Sequence, residues 1–512
     1  MELVRKNIHM DRIKCSAETQ ITLEDDRNVP DQKPDMERIV LRRGEVKTEE
    51  IKATEDKVNV KGKLLFTILY LTEEGGVSYI EGQLPFEEQI YMECIQNGDN
   101  VEVEAELEDL SIEMINSRKL SIRALLSLEL EVEDLFDEEM AVDLYHEEEI
   151  ETRKTMLSVA EIAIQKKDIL RRREELEMPQ SFPNIFEILW KDVRINGLSF
   201  EALDNQISVQ GELEVFLLYE GEGEERPLKC FEKVIPFREV LDCQGSSGEM
   251  VPDITGRISH SEIDVRTDED GEERIACLDL LLDLRIKLYA TEQVEALTDV
   301  YGISENILPV KKQAILNRRL LKASGKTKLT EQVKLPAALP EIAEIYHSSG
   351  AATIETMEAV EDGVELIGTL KAEILYQSEG GELSSFETET PFQYMLTAPD
   401  IKETCRYRMV PVIEQLVVTM LNNSEIDVKA VIAFDLLGFC SNAEEMISDI
   451  TIQEIDMSVI NNLPGIVAYI AKEGDNVWEL GKKYYVPLER IREINQLSGD
   501  VLKAGEKILI VR

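Results

Sequence analysis

An internal triplication constrains the fold of this chain more than any other feature of its sequence. The segment from Gly62 to Tyr70 recurs from Gly211 to Tyr219 and again from Gly368 to Tyr376, at spacings of 149 and 157 residues. A second landmark, a pair of prolines four residues apart, recurs with the same two spacings, at Pro30/Pro34, Pro179/Pro183 and Pro336/Pro340. Two unrelated landmarks with common spacings predict three copies of one folding unit of about 150 residues.

The repeat also predicts the domain borders. A chain of 512 residues is too long for a single hydrophobic core, since domains usually hold roughly 100–200 residues. We predict repeat units at 1–150, 151–305 and 306–455, a linker at 456–464 and a small C-terminal domain at 465–512. A Pro-Phe pair follows each Gly-to-Tyr segment, at Pro85-Phe86, Pro236-Phe237 and Pro391-Phe392.

Alternation of apolar and charged residues dominates the units and predicts a mainly β fold. Val101–Leu107 and Leu126–Val132 alternate almost strictly, which is typical of a strand with one solvated face. Hairpin turns are expected between such strands, at Asn116-Ser117, Asp268–Gly271 and Asn422-Asn423. We therefore expect three β-sandwich-like domains. Apolar spacing after each proline pair also predicts a short helix in every unit, at 36–40, 185–190 and 342–346.

The charge of the chain disfavours two classes of partner. The formal net charge is −47, yet residues 464–512 hold eight Lys and Arg against seven Asp and Glu. The C-terminal domain is thus near +1 and the preceding chain near −48. So acidic a surface disfavours nucleic acid and anionic membranes, which require a positive face. Because no apolar run approaches the ~18 residues of a membrane span and the start of the chain lacks a signal-peptide segment, we expect a cytosolic protein.

No catalytic or metal-binding signature is found in the sequence, and we predict a protein that is not an enzyme and needs no cofactor or metal. The motifs of nucleotide-binding, metalloprotease and serine hydrolase sites are absent, and the four histidines do not occupy matching places in the repeats. The seven cysteines are scattered without C-x-x-C spacing, so we expect reduced, mostly buried thiols. The basic segments 166–173 and 311–319 are expected to neutralise neighbouring acidic sheets rather than to form a binding stripe.

The C-terminal domain is predicted to be β-α-α-β. A short strand leads into a turn at Gly474-Asp475, where Asp475 or Asn476 can cap a first helix. That helix and a second one beginning at Pro487 each present an apolar face, and alternation predicts a closing strand. The residues expected on the inner side are Val477, Leu480 and Tyr484 of the first helix, Ile491 and Ile494 of the second, and Ile508 and Ile510 of the strand. Trp478 falls beside the inner face of the first helix. A half-exposed tryptophan there would anchor an interface; the competing interpretation is core packing against Tyr484 and Ile508.

Two resemblances follow from these residues. The C-terminal order Tyr469, Gly474-Asp475, Trp478-x-x-Leu, Tyr484, Asn495 and Gly505-x-x-Ile-x-Ile resembles a LysM domain. The repeat, through its Val29–Asp35 run and its Gly62–Tyr70 segment with the Pro-Phe pair, resembles the SPOCS domain of bacterial spore-coat proteins. Three such units followed by one LysM domain resemble the SipL-type spore coat morphogenetic proteins.

The resemblance implies a non-enzymatic scaffold in the mother-cell cytoplasm, at the forespore surface and in the spore coat. Its LysM domain would dock onto the coat ATPase, stage IV sporulation protein A, and the repeats would recruit other coat proteins. The alternative is a wall or cortex protein that binds peptidoglycan or N-acetylglucosamine polymers through loops 474–477 and 495–501. Asn476 stands where LysM domains usually have Ser or Thr, and Gly481 stands for Ala. Candidate contacts for either partner are Ile466, Lys472, Gly474, Asp475, Asn476, Trp478, Asn495 and Leu497.

Overall fold

A computed structural model describes residues 2–399, 401, 405–454 and 464–512. The first six strands form unit one: β1 (Glu2–Asn28), β2 (Met36–Thr54), β3 (Lys57–Thr72), β4 (Val77–Tyr91), β5 (Val101–Asn116) and β6 (Lys119–Tyr145). They pair into two antiparallel sheets, in the orders β1-β6-β5 and β2-β3-β4. Unit one is therefore a sandwich of a long-stranded sheet and a short-stranded sheet.

Units two and three repeat this arrangement. Unit two contains β7 (Ile150–Glu177), β8 (Ile185–Leu203), β9 (Gln206–Gly221), β10 (Leu228–Asp242), β11 (Val251–Thr267) and β12 (Glu273–Gly302). Unit three contains β13 (Asn306–Lys334), β14 (Ile342–Val360), β15 (Gly363–Ser378), β16 (Leu383–Thr397), β17 (Arg406–Asn422) and β18 (Glu425–Gln453). The sheet orders are β7-β12-β11 with β8-β9-β10, and β13-β18-β17 with β14-β15-β16. The mainly β fold and the three predicted hairpin turns are confirmed.

Alternating residues build the core of each sandwich. In unit one, Leu64 and Phe66 of β3 face Leu126 and Leu128 of β6, and all four are buried in one cluster. Their neighbours in each strand point to the other face of the sheet, as period-two strands require. The same alternation that predicted strands thus supplies the inner faces of the two sheets.

The prediction of a short helix in each unit, at 36–40, 185–190 and 342–346, is wrong. These residues begin strands β2, β8 and β14. Each of these strands has two register shifts near its start, in unit one between Met36 and Arg38 and between Ile39 and Leu41. A β-bulge adds a residue and reverses the phase of alternation. Two bulges close together give apolar spacings that resemble those of a helix.

The two repeat landmarks contact each other in the fold. The tyrosine that closes the Gly-to-Tyr segment donates a hydrogen bond to the carbonyl of the second proline in every unit, at 3.0, 3.2 and 3.0 Å for Tyr70, Tyr219 and Tyr376. The glycine that opens the segment lies opposite the phenylalanine of the Pro-Phe pair on the next strand. A Cβ on Gly62 would lie 2.6 Å from the Phe86 ring, so glycine is needed where that ring covers the backbone.

Equivalent residues of the three units meet at shared centres, which indicates an approximate three-fold arrangement. Met10, Val159 and Leu316, spaced by 149 and 157 residues, share one buried cluster. Leu69, Leu218 and Leu375 share another. The three sandwiches therefore pack into one body through repeated apolar positions.

A buried polar centre also joins the units. The Asp192 carboxylate of unit two lies 3.1 Å from Arg43 of unit one, 3.1 Å from His347 of unit three and 2.8 Å from its neighbour Arg194. Burial alone would raise the pKa of Asp192, but the hydrogen bond from His347 and the two guanidinium groups hold it well below its ordinary value.

The expectation of seven reduced thiols is wrong for four of them. Cys15 is bonded to Cys94, and Cys405 to Cys440, whereas Cys230, Cys243 and Cys277 are free. The partners are 79 and 35 residues apart. Spacing in the sequence does not reveal such pairs, because only the docking of strands and loops brings them together.

The C-terminal domain has the predicted β-α-α-β order. It consists of β19 (Ile466–Ile470), α1 (Val477–Tyr484), α2 (Leu488–Asn495) and β20 (Lys507–Val511), with β19 and β20 antiparallel. Val477, Leu480, Ile491 and Ile508 form its core. The prediction that Ile494 is buried is wrong, because its side chain is 37% exposed. None of the described helices has the length and apolar character needed to cross a bilayer.

Candidate functional site

The two loops predicted to bind a partner or a glycan lie side by side. The Val477 amide donates to the Asp500 carbonyl at 2.8 Å, and the Leu502 amide donates to the Asp475 carbonyl at 3.1 Å. Asn476 and Val501 form an isolated bridge between the loops. Segments 474–477 and 495–501 thus form one continuous surface.

Several candidate residues on these loops hold the domain together. Asn476 caps α1 by accepting from the Glu479 amide at 2.8 Å, and the Asp475 carboxylate accepts from the Tyr469 hydroxyl at 2.7 Å. Hydrogen bonds from the Lys472 amide and from Tyr469 lower the pKa of Asp475. Asn495 holds α2 against β20 through hydrogen bonds to the backbone of Leu509 at 2.6 and 2.7 Å. Their polar side-chain atoms are thus engaged inside the domain.

Other candidates are open to solvent. Ile466 is 65% exposed, and Lys472 and Gly474 are exposed as well, whereas Leu497 is half-buried against the core of the domain. Ile470 is 62% exposed. Leu509 of β20 is also exposed and pairs with Ala468, which lies between the two isoleucines on β19. The outer face of the β19–β20 sheet is therefore an apolar surface, which we call the hairpin face: Ile466, Ala468, Ile470 and Leu509.

The prediction that Trp478 is half exposed is wrong, because unit two covers it. Its side chain is 5% exposed, and its indole Nε1 donates to the Asp299 Oδ2 at 2.8 Å. The Tyr301 ring stands edge-on to the indole, with centroids 5.1 Å apart. Trp478 is thus an anchor of an interface within this chain.

Three further contacts complete the interface between the C-terminal domain and unit two. Lys482 Nζ lies 2.6 Å from Asp299 Oδ1, and the buried Tyr301 hydroxyl donates to the Val486 carbonyl at 2.9 Å. The Leu488 amide, at the start of α2, donates to the Glu151 Oε1 at 2.9 Å. Pro487 is the N-cap residue of α2 and has no side-chain capping bond. Glu151 of unit two therefore supplies the carboxylate that a helix N-terminus favours.

The electrostatics of this docking site depend on Asp299. Burial alone would raise its pKa, but hydrogen bonds from Lys482 and Trp478 outweigh burial and lower the pKa below its ordinary value. Gly481 lies at the same contact, where a Cβ would be 2.3 Å from the Tyr301 hydroxyl. Sequence reasoning missed the function of Asp299 and Tyr301, although Asp143-Leu-Tyr145 and Asp299-Val-Tyr301 repeat one pattern and Gly481 departs from the usual alanine.

The basic segments of units two and three serve internal pairing. Arg171 and Arg173 both contact Asp279, and Arg172 lies 2.9 Å from Glu239. Lys311 lies 2.8 Å from Glu445 in unit three. These contacts are those expected from neutralisation of neighbouring acidic strands.

Comparison with known families matches both parts of the chain. The family described as SipL, SPOCS domain, matches residues 35–115, 184–266 and 341–421. The LysM domain family matches residues 469–511. The three SPOCS matches begin 149 and 157 residues apart, which confirms the internal triplication. No curated protein and no solved structure matches the chain.

Proposed function

We propose that this chain, which contains three SipL SPOCS domains and one C-terminal LysM domain, is a non-catalytic scaffold of the spore coat that binds a protein partner through its LysM domain. Its domain content fits a spore-associated protein, and both kinds of domain are binding modules. The proposed partner is a coat ATPase similar to stage IV sporulation protein A, at the forespore surface in the mother-cell cytoplasm. The three fused sandwiches would hold other coat proteins at fixed spacing.

The observation that carries the proposal is the hairpin face. Ile466 and Ile470, both more than half exposed, lie on the outer side of the small sheet. Contiguous exposed apolar residues are more typical of protein interfaces than of the rest of a protein surface. The LysM domain is near neutral while the rest of the chain is near −48, so this face can approach a partner without the strong repulsion that the acidic repeats would exert on a negatively charged surface.

Trp478, Asp475, Asn476 and Asn495 are proposed to support partner binding indirectly. Trp478 faces Asp299 of unit two, and the three polar side chains hold the loops in place. Ile466, Lys472 and Gly474 are the candidates that a partner can reach in the docked state. The primary contact is therefore assigned to Ile466 and the residues around it.

Co-precipitation of the full chain with the purified coat ATPase tests this assignment. Ile466→Glu places a charge in the apolar face and is expected to weaken binding roughly 30-fold, the affinity cost of one hot-spot residue. Arg490→Gln is the matched control, because it changes the net charge by the same amount at an exposed position on α2. Equal binding by the two variants, both with wild-type thermal unfolding, would refute the hairpin face as the contact.

A peptidoglycan-binding role is the second candidate. The adjacency of loops 474–477 and 495–501 supports it, because the hydrogen bonds between them align two exposed segments as one cleft wall. Retention of the full chain on insoluble peptidoglycan separates the two functions. Strong retention that Ile466→Glu leaves unchanged, together with no binding to the ATPase, would favour the glycan.

A further inference from the structure

The LysM-docking site on unit two has equivalents on the other two units. Strand pairing aligns Tyr301 with Glu151 in unit two, Tyr145 with Glu2 in unit one, and Thr451 with Leu308 in unit three. Asp299 precedes Tyr301 by two residues, as Asp143 precedes Tyr145 and Asp449 precedes Thr451. The triplication therefore presents three versions of one surface, and the LysM domain covers the version on unit two.

Unit one keeps the chemistry of this site, and unit three does not. Glu2, Asp143 and Tyr145 reproduce the carboxylate, carboxylate and phenol that Glu151, Asp299 and Tyr301 present to the LysM domain. Unit three retains the aspartate alone, because Leu308 and Thr451 replace the other two groups. Only units one and two can thus offer the Leu488 amide a carboxylate and Trp478 an aromatic ring.

The local conformation of the aspartate is also the same in units one and two. The Asp143 Oδ1 accepts from the amide of Leu144 at 2.9 Å, as Asp299 Oδ1 accepts from Val300 at 3.0 Å. Lys154 lies 3.2 Å from Asp143 Oδ1. In unit two, Lys482 contacts the equivalent oxygen, Asp299 Oδ1. Both contacts of Asp143 use Oδ1, and the indole of Trp478 uses Oδ2 in unit two.

The exposure of Tyr145 distinguishes the two sites. Tyr301 is 2% exposed under the LysM domain, whereas Tyr145 is 67% exposed. Aromatic side chains presented to solvent beside satisfied polar groups are typical anchors of interfaces. A ring that is buried in the occupied copy and exposed in the other indicates an unoccupied docking surface.

We propose that Glu2, Asp143 and Tyr145 form a second LysM-docking site, and that its occupant is the LysM domain of a second copy of this chain. The occupant follows from the unit-two interface, where the LysM domain contacts the same three groups. Charge favours the same pairing, because the near-neutral LysM domain can approach a body near −48 that would repel another such body. The site goes beyond the proposed function, since it links copies of the scaffold to one another.

Docking within the chain competes with docking between chains. A tethered domain reaches its own unit two at high effective concentration, so the wild-type chain should associate weakly. Release from unit two should make the LysM domain available to unit one of another copy. Substitutions on unit two are therefore expected to strengthen self-association, which is the reverse of their effect on an ordinary interface.

Sedimentation velocity of full-length variants over about two decades of concentration tests the proposal. The releasing variant carries Asp299→Asn with Tyr301→Thr, which adopts the threonine found at the unit-three equivalent. The second variant adds Tyr145→Thr to these changes, and the control adds Thr451→Ala. Acrylamide quenching of tryptophan fluorescence reports whether Trp478 has left unit two.

The releasing variant is expected to associate with increasing concentration, and added Tyr145→Thr should weaken that association roughly 30-fold. The Thr451→Ala control should associate like the releasing variant. A releasing variant that stays monomeric at every concentration would overturn the proposal, as would association that Tyr145→Thr leaves unchanged. Wild-type chain that associates as strongly as the releasing variant would also overturn it, because the LysM domain would then play no part.

Discussion

Gly481→Ala should release the LysM domain from unit two, although alanine is the better helix former. The added Cβ would lie 2.3 Å from the Tyr301 hydroxyl, 2.9 Å from Leu488 Cδ2 and 3.1 Å from the Val486 carbonyl. The leucine side chain can rotate away. The hydroxyl cannot, because it donates to that buried carbonyl at 2.9 Å and its ring packs edge-on against Trp478.

The size of the effect follows from the contacts. Overpacking of one methyl group costs about 1–3 kcal/mol, which converts to a fall of about 5- to 150-fold in the ratio of docked to undocked domain. The undocked domain lacks the closest of these contacts, the one with the Tyr301 hydroxyl, and alanine in a helix interior is favoured over glycine by roughly 0.5–1 kcal/mol. The substitution thus acts mainly on docking, since the shortest contact exists only in the docked state.

Trp478 itself reports the result. The chain has two tryptophans, so a Trp190→Phe background leaves Trp478 as the single emitter. The docked indole is almost fully buried and should resist acrylamide, whereas Gly481→Ala should increase quenching and shift the emission to longer wavelength. The far-ultraviolet circular dichroism of the domain should not change.

Tyr301→Phe provides the decisive control. On its own it removes the hydrogen bond to Val486 and should weaken docking by about 1 kcal/mol. Combined with Gly481→Ala it removes the closest clash and should restore part of the protection of Trp478, so the two effects have opposite signs. The reasoning is refuted if quenching is unchanged by Gly481→Ala, or if Tyr301→Phe increases quenching in both backgrounds.

Three further predictions concern ionisable groups. The pKa of Asp299 is below its ordinary value of 3.8. Its carboxylate therefore stabilises docking fully above pH 3.8, and this stabilisation is lost as the pH falls through the lowered pKa. Acrylamide quenching of Trp478 should rise over that pH range, and Asp299→Asn should remove the rise. Burial raises the pKa of Glu373 from 4.5 to about 7, so the protonated side chain stabilises the fold fully below pH 4.5 and this stabilisation is lost as the pH rises towards 7. The free energy of urea unfolding should fall by roughly 2–3 kcal/mol over that window, and Glu373→Gln should abolish the fall. Asp192→Ala should lower the same free energy by about 1–3 kcal/mol, since it leaves the buried His347 and two half-buried guanidinium groups without their carboxylate partner. The exposed Asp270→Ala should change it by less than about 0.5 kcal/mol, and equal effects would contradict the role of the buried centre.

Much of the fold could be predicted because its signals are local. Alternation along Leu126–Val132 and the hairpin turn at Asn116-Ser117 depend only on neighbouring residues, and both are confirmed. The strand starts could not be predicted, because a bulge between Ile39 and Leu41 reverses the alternation without a marker in the sequence. The same distinction applies to the candidate site. Asn476 could be predicted as a helix cap from the residues beside it in the sequence, whereas the residue that contacts Trp478 could not.

The triplication and the C-terminal β-α-α-β domain could be recognised without a structure, because both depend on the order and spacing of residues along the chain. How equivalent residues of the repeats are used depends on the packing of the units and of the LysM domain. Trp478 contacts Asp299, 179 residues away, and this contact exists because the LysM domain packs on unit two. Tyr145 and Tyr301 share the local pattern Asp-x-Tyr but have opposite exposure. A side chain's environment is set by what packs over it, and one LysM domain can cover only one of two equivalent surfaces.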